Sequence, residues 1–244
     1  GNADNDILVG ADGNDTMNGG DGNDLIGEIM QTRGSDLEPG DDIANGGPGD
    51  DRIYGGSGRD TIHGDGGNDF LNGDYIITSG VLITNSGDTV YGDDGNDSVY
   101  AAAVFIDYDS ETNYLYGGPG DDVIGGSHGN DVLWGDDGAD LLIGHYGNDH
   151  LRGGFNGDDM RGGPGVDILE GGEGNDTLNG EQDDDTLLGD NGNDVLKGGY
   201  GDDGFSGGDG PSDICNGEEG DFDYLFGTQQ TAGCETIIAI EDVD

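Results

Sequence analysis

A glycine returns at every ninth residue from Gly117 to Ser206, ninety residues that divide into ten nonapeptides without an insertion. The units open at Gly117, Gly126, Gly135, Gly144, Gly153, Gly162, Gly171, Gly180, Gly189 and Gly198. The unit Gly171-Gly172-Glu173-Gly174-Asn175-Asp176-Thr177-Leu178-Asn179 states the rule: glycine at places 1, 2 and 4, aspartate at 6, an apolar residue at 8. A period this short leaves few folds open. One unit cannot bury its single apolar side chain alone, so each must stack on the next, as in a solenoid.

Places 7 to 9 suit a three-residue strand with place 8 turned inward and places 7 and 9 outward. Leu133, Leu142, Leu151, Met160, Leu169, Leu178, Leu187, Leu196 and Phe205 fill the inward place with no polar exception. Places 1 to 6 must then reverse the chain, and glycine there tolerates positive φ and leaves backbone carbonyls open at the turn.

Composition alone would argue against any fold. Fifty-six glycines and a formal charge of −49 resemble a chain too poor in apolar residues to offset the entropy of ordering. The period overrides that expectation and predicts one elongated domain. The charge still has to be neutralised, because 55 acidic residues against six basic ones repel in any compact state. Either a polycation or many metal ions must sit among them. Such a surface excludes nucleic acid as a partner, since phosphates require basic side chains. No apolar run approaches the roughly 20 residues of a bilayer span, so no membrane span is expected. The chain opens at Gly1 in register, without Met or a leader, which suggests processing or trimming.

Outside the central run the rule holds with interruptions. The units at Gly1, Gly10 and Gly19 supply Asp6, Asp15 and Asp24 over Leu8, Met17 and Ile26. From Leu37, Asp42, Asp51, Asp60 and Asp69 stand over Ala44, Ile53, Ile62 and Leu71. Asp88 and Asp97 accompany Val90 and Val99, and a further unit carries Asn113 at place 6 over Leu115. The central run contributes Asp122, Asp131, Asp140, Asp149, Asp158, Asp167, Asp176, Asp185, Asp194 and Asp203. A last unit, one residue too long, carries Asp213 and Cys215. The predicted organisation is a roll over 1–216 with insertions at about 28–36, 73–82 and 101–107, then a capping segment over 217–244. The insertions follow the third, seventh and ninth units, so with two units per turn all three leave one side of the rod. Insertions on one side of a solenoid often mark its binding face.

The place-6 aspartates and the turn carbonyls together offer hard oxygens. Calcium takes six to eight of these, whereas zinc or copper would call for His and Cys. Turns stacked about 4.8 Å apart can share an ion between neighbours. If nearly every unit contributes, about fifteen to eighteen calcium ions are expected, offsetting more than half of the charge. Turn chemistry by itself does not demand the same residue at every ninth place.

The Gly-Gly-x-Gly-x-Asp-x-apolar-x pattern resembles that of the RTX, or haemolysin-type calcium-binding, repeat proteins, over some four fifths of the chain. The resemblance implies an all-β, right-handed parallel β-roll (β-solenoid) with two repeats per turn, disordered without calcium and folded at extracellular calcium levels. About twenty strands in two faces make a rod roughly 50 Å long. Departures put individual sites in question: Asn113 lacks the carboxylate, Asn2 replaces a glycine, and Gly180-Glu181-Gln182-Asp183 lacks two of three glycines.

Cys215 and Cys234 are the only cysteines, both near the C-terminus. A disulfide would close that segment and add about 3 kcal/mol in the loop-entropy model, suiting an oxidising exterior. Two buried thiols are the alternative. Family members exported in one step usually lack cysteine, so the pair leans towards the general secretory pathway. Against catalysis stand the missing motifs. His145 and His150 do not form His-Glu-x-x-His, His63 and His128 lie in other units, and no Gly-x-Ser-x-Gly turn occurs. Pairs such as Asp121 with Asp122 read as a solvated carboxylate beside a ligand rather than as glycosidase chemistry. The sequence therefore predicts a non-enzymatic, secreted or cell-surface rod, structural or adhesive. Its open first turn suggests a partner surface on cell-surface material or on another copy of itself, extending head to tail into a filament. The alternative is a calcium-dependent folding or secretion module of a larger toxin, hydrolase or adhesin. An ice-binding face would require regular ranks of Thr or Asn, which Arg152, Glu170, Leu188 and Lys197 interrupt.

Overall fold

The computed structural model describes residues 1–10, 13–27, 40–74, 87–102, 111–219, 224–225 and 234–238. The expected insertion at 28–36 lies outside these residues, as does the greater part of those at 73–82 and 101–107 and of the 217–244 cap. Gly73 and Asp74 close one strand, and Ala101 and Ala102 close another.

The strands in chain order are β1 (Ile7–Leu8), β2 (Thr16–Asn18), β3 (Leu25–Gly27), β4 (Ile43–Pro48), β5 (Arg52–Gly56), β6 (Thr61–Gly66), β7 (Phe70–Asp74), β8 (Thr89–Tyr91), β9 (Ser98–Ala102), β10 (Tyr114–Pro119), β11 (Val123–Gly125) and β12 (Val132–Asp137). They continue as β13 (Leu141–Ile143), β14 (His150–Phe155), β15 (Asp159–Pro164), β16 (Ile168–Gly174), β17 (Thr177–Gln182), β18 (Thr186–Gly192), β19 (Val195–Tyr200), β20 (Gly204–Ser206), β21 (Asp213–Glu219), β22 (Tyr224–Leu225) and β23 (Cys234–Ile238). No helix occurs among the described residues. The odd strands form one 12-stranded sheet in chain order and the even strands an 11-stranded sheet, with every pairing parallel. Each strand thus skips its sequence neighbour and pairs with the next but one. That is the topology of a β-roll with two repeats per turn.

Register follows from the period. Partners stand 18 residues apart through the central run, as Leu151 does from Leu169 and Leu178 from Leu196. The spacing grows to 27, 28 and 25 where a turn spans 28–39, 75–86 or 103–110. It becomes 19 at β21, where the surplus residue of the last unit is taken up and the pairing to β23 shifts between Asp213 and Ile214.

Place 8 is the core. From Ile26 to Leu196 the leucines, isoleucines and valines at that place are fully buried, with Met17, Ala44, Phe205 and Cys215 nearly so. The two sheets meet through two facing files of apolar side chains, one from each sheet, because each strand turns one side chain inward and the next inward place is the place-1 glycine. Both sheets carry outward aromatics: on the odd sheet Phe70 packs at 5.9 Å from Tyr54 and 5.7 Å from Tyr100, and the even sheet bears a longer ladder. There His63, Tyr91, Tyr116 and Trp134 stack in sequence at 4.5, 4.7 and 4.4 Å between ring centroids, with planes within 10° of parallel. Such a ladder forms because place 9 of one even strand lies directly beside place 9 of the next.

Candidate metal centre

All the expected aspartates fall into two columns, one on each edge of the roll. The turns entering the odd strands carry Asp6, Asp24, Asp51, Asp69, Asp97, Asp122, Asp140, Asp158, Asp176, Asp194 and Asp213. The turns entering the even strands carry Asp15, Asp42, Asp60, Asp88, Asn113, Asp131, Asp149, Asp167, Asp185 and Asp203. Within a column, each residue's backbone N–H donates to Oδ1 of the place-6 residue one coil on. Asp158 N–H reaches Asp176 Oδ1 at 2.9 Å, Asp167 reaches Asp185 at 2.8 Å, and Asp24 reaches Asp51 at 2.6 Å.

One oxygen of each carboxylate is therefore used, and the other faces into the turn. Oδ2 of Asp24, Asp51, Asp60, Asp69, Asp97, Asp122, Asp140, Asp149, Asp158, Asp167, Asp176, Asp185 and Asp194 is buried without a hydrogen-bond partner. A buried, unsatisfied carboxylate oxygen costs several kcal/mol unless a cation or donor meets it. Burial accordingly pushes the carboxyls above their ordinary value of 3.8: Asp185 to about 9, Asp149 to about 8, and Asp122, Asp158, Asp167 and Asp194 to about 7. The N–H bond from the preceding coil pulls the other way, and neighbouring carboxylates add to the rise, as Asp167 and Asp203 do around Asp185.

The glycine at place 1 shows what the turn is shaped for. A Cβ on Gly171 would stand 2.5 Å from Asp176 Oδ2 and 2.7 Å from the Gly189 carbonyl oxygen; one on Gly189 would stand 2.5 Å from Asp194 Oδ2 and 2.6 Å from the Gly207 carbonyl oxygen. A Cβ there would clash with both oxygens, so glycine at place 1 is what lets the carboxylate and a carbonyl of the next coil approach the same turn. Among the described residues no three His, Cys, Asp or Glu side chains converge. Each turn provides one carboxylate, and carbonyls must complete the set. Oxygen-only donation with a minority of charge suits calcium and disfavours zinc or copper.

Departures from the repeat behave differently from one another. Glu181 and Asp183 replace glycines yet hold left-handed φ of 83° and 74°, so the turn at Asp185 keeps its shape and its open Oδ2. In the first unit Asn2 N–H donates to Asp6 Oδ2 at 2.7 Å. At Asn113 and Asp131 the pattern changes in kind: Asp131 Oδ2 accepts from Ser127 N–H at 2.6 Å and from Ser127 Oγ at 3.0 Å.

Sequence reasoning overlooked a second ladder. Place-5 side chains accept from the place-5 N–H one coil on, as Asn175 does from Asn193 at 2.9 Å and Asn130 from Asn148 at 2.9 Å. The signal was present as Asn or Asp at place 5 of most units, immediately before the better-known aspartate. Two histidines pair with carboxylates at the surface: His63 Nδ1 lies 3.0 Å from Asp93, and His150 Nε2 lies 3.2 Å from Glu170.

Two parallel sheets wound from nonapeptides, with a file of oxygen cradles along each edge, define a calcium-binding β-roll. The RTX calcium-binding nonapeptide repeat model matches residues 1–26, 38–71 and 84–103 and, in overlapping copies, 109–221. The chain belongs to that family. No curated protein matches it.

Proposed function

We propose that this chain is an extracellular, calcium-dependent structural rod whose folding is driven by ions in its turns. The observation that carries this reading is the row of buried Oδ2 atoms without partners, each beside a place-1 glycine and a carbonyl of the next coil. Without a cation these carboxylates oppose folding; with one, each turn is tied to its neighbour, and binding free energy becomes folding free energy. The number of ions we expect is about fifteen to eighteen. Secretion is supported by the family, whose repeat proteins are typically exported to calcium-rich surroundings. The role is non-enzymatic on this reading, because what recurs in the turns is the aspartate and glycines of a metal cradle, whereas the four histidines recur at no fixed place of the repeat.

Two finer points belong to the same reading. Cys215 and Cys234 join in a disulfide, supported by the burial of Cys215 and by the pairing of β21 with β23. The rod associates with itself or with cell-surface material, supported by Ile7 and Val9 standing 67% and 52% exposed around β1. Circular dichroism tests the central claim: coil in chelator and β structure in millimolar calcium are expected. The same folded spectrum after exhaustive chelation would refute it. Light scattering in calcium tests self-association, for which a strictly monomeric rod is the contrary result.

A further inference from the structure

We infer that the turn of Asp131 takes no calcium ion, and that Asn113 and Ser127 supply hydrogen-bond donors in its place. The inference rests on the calcium reading above and concerns a cradle that departs from it on both carboxylate oxygens.

Asp131 is 1% exposed, like its counterparts in the column, but both of its oxygens are occupied. Oδ1 accepts from the Asn113 backbone N–H at 2.8 Å and from Asn113 Nδ2 at 2.9 Å. Oδ2 accepts from the Ser127 N–H and hydroxyl. Ser127 Oγ in turn accepts from Gly129 N–H and from Asn113 Nδ2, both at 3.3 Å. Four donors thus surround one carboxylate, and Asp131 Oδ2 is absent from the row of unpartnered oxygens that its neighbours Asp122, Asp140 and Asp149 belong to.

Two substitutions produce this arrangement together. At place 6 of the coil before, Asn113 keeps the shape of aspartate and its acceptor: Asp88 N–H still donates to Asn113 Oδ1 at 2.8 Å. The charge is gone, and an N–H donor stands where a second carboxylate would need a cation between the two. At place 2, Ser127 replaces the usual glycine and directs both its N–H and its hydroxyl at Asp131. A calcium ion there would have to displace donors from both oxygens of Asp131, and the coil before meets it with an amide in place of a carboxylate.

The same coils are braced independently. Tyr91, Tyr116 and Trp134 stack on the outer face of β8, β10 and β12, the strands that the turns of Asp88, Asn113 and Asp131 enter. Inter-coil cohesion is thus provided by rings and hydrogen bonds where the ion is missing. The even-strand column is divided into one run of cradles from Asp15 to Asp88 and another from Asp149 to Asp203.

Crystals of the wild-type chain grown in calcium would test this by anomalous scattering at a wavelength where calcium contributes. Peaks beside Asp122, Asp140 and Asp149 with none in coordinating reach of Asp131 are expected. A peak bonded to Asp131 would overturn the inference while leaving the calcium reading intact, and no peak in either column would sink both. In solution, native mass spectrometry should find the same number of bound calcium ions in Asp131→Asn as in wild type, and fewer in Asp149→Asn. Loss of an ion from Asp131→Asn counts against the inference.

Discussion

Replacing Gly171 with alanine separates the ion's contribution from that of the backbone. The new Cβ would stand 2.5 Å from Asp176 Oδ2 and 2.7 Å from the Gly189 carbonyl oxygen, inside the closest approach of carbon to oxygen, so the two oxygens proposed as ligands must move. Gly171 does not hold a left-handed φ, so alanine is not penalised there by backbone conformation. Its neighbour Gly172 does, at 106°, and a Cβ on it runs into the Gly154 carbonyl. The two substitutions should therefore fail differently. A site lost from the folded state removes RT ln(1 + [Ca]/Kd) of stability, about 2.7 kcal/mol at a hundredfold excess over Kd, and this loss grows by about 1.4 kcal/mol per tenfold calcium. Strain at Gly172 costs about 1–3 kcal/mol at every calcium concentration. Urea unfolding at several calcium concentrations gives the slope of stability against log calcium. Gly171→Ala should lower that slope by about 1.4 kcal/mol per decade, and Gly172→Ala should shift the line downward with its slope kept. An unchanged slope in Gly171→Ala would show that no ion occupies the cradle beside Asp176.

Neutral pH should oppose folding without ions. In an ion-free roll, burial holds Asp149 at about 8, Asp167 at about 7 and Asp185 at about 9, above the ordinary 3.8. Raised carboxyls mean that the folded state binds more protons than the unfolded one, so their contribution to apo stability is present below about pH 4 and fades as pH rises through 7 to 9. In chelator, circular dichroism should therefore show β structure gained as pH falls from 8 to 4; more β structure at pH 8 than at pH 4 would refute the shift. Leu169→Ala, at a fully buried place 8, should cost about 2–5 kcal/mol with no change in the calcium slope. Unfolding curves at two calcium levels check this.

The period made the core legible in advance. Leu133 through Phe205 point inward because place 8 is the one inward side chain of each strand, the next inward place being glycine, and nothing in the structure competes with that. The aspartates were legible for the same reason, although their first duty is to hold the preceding coil through Oδ1, which no ligand argument anticipates. What the sequence hid was how each departure would be absorbed. Glu181 and Asp183 look disruptive and are not, since a polar residue can pay the modest cost of a left-handed φ where the flanking ladder fixes the backbone. Asn113 looks like one lost ligand, yet its consequence depends on Ser127, fourteen residues away in sequence and in hydrogen-bonding range only after the roll has closed. The aromatic ladder was equally invisible, because His63, Tyr91, Tyr116 and Trp134 are spaced irregularly until the longer turns are discounted.

The two edges of the roll are not equivalent. On the odd-strand edge, aspartate follows aspartate from Asp6 to Asp213, each N–H bonded to the next Oδ1 without a break. The long connections from β3 to β4, from β7 to β8 and from β9 to β10 all pass from the odd sheet to the even one, and so fall on the other edge, as does Asn113. The even-strand column nevertheless keeps the same ladder of N–H to Oδ1 bonds from Asp15 to Asp203, Asn113 included. The even-strand edge can thus vary in connection length and in chemistry while the coils stay in register. Any surface that distinguishes this roll from a plain run of repeats is to be sought along the even-strand edge, beside Asn113, Ser127 and Asp131, where the ladder has already given up its uniform dependence on ions.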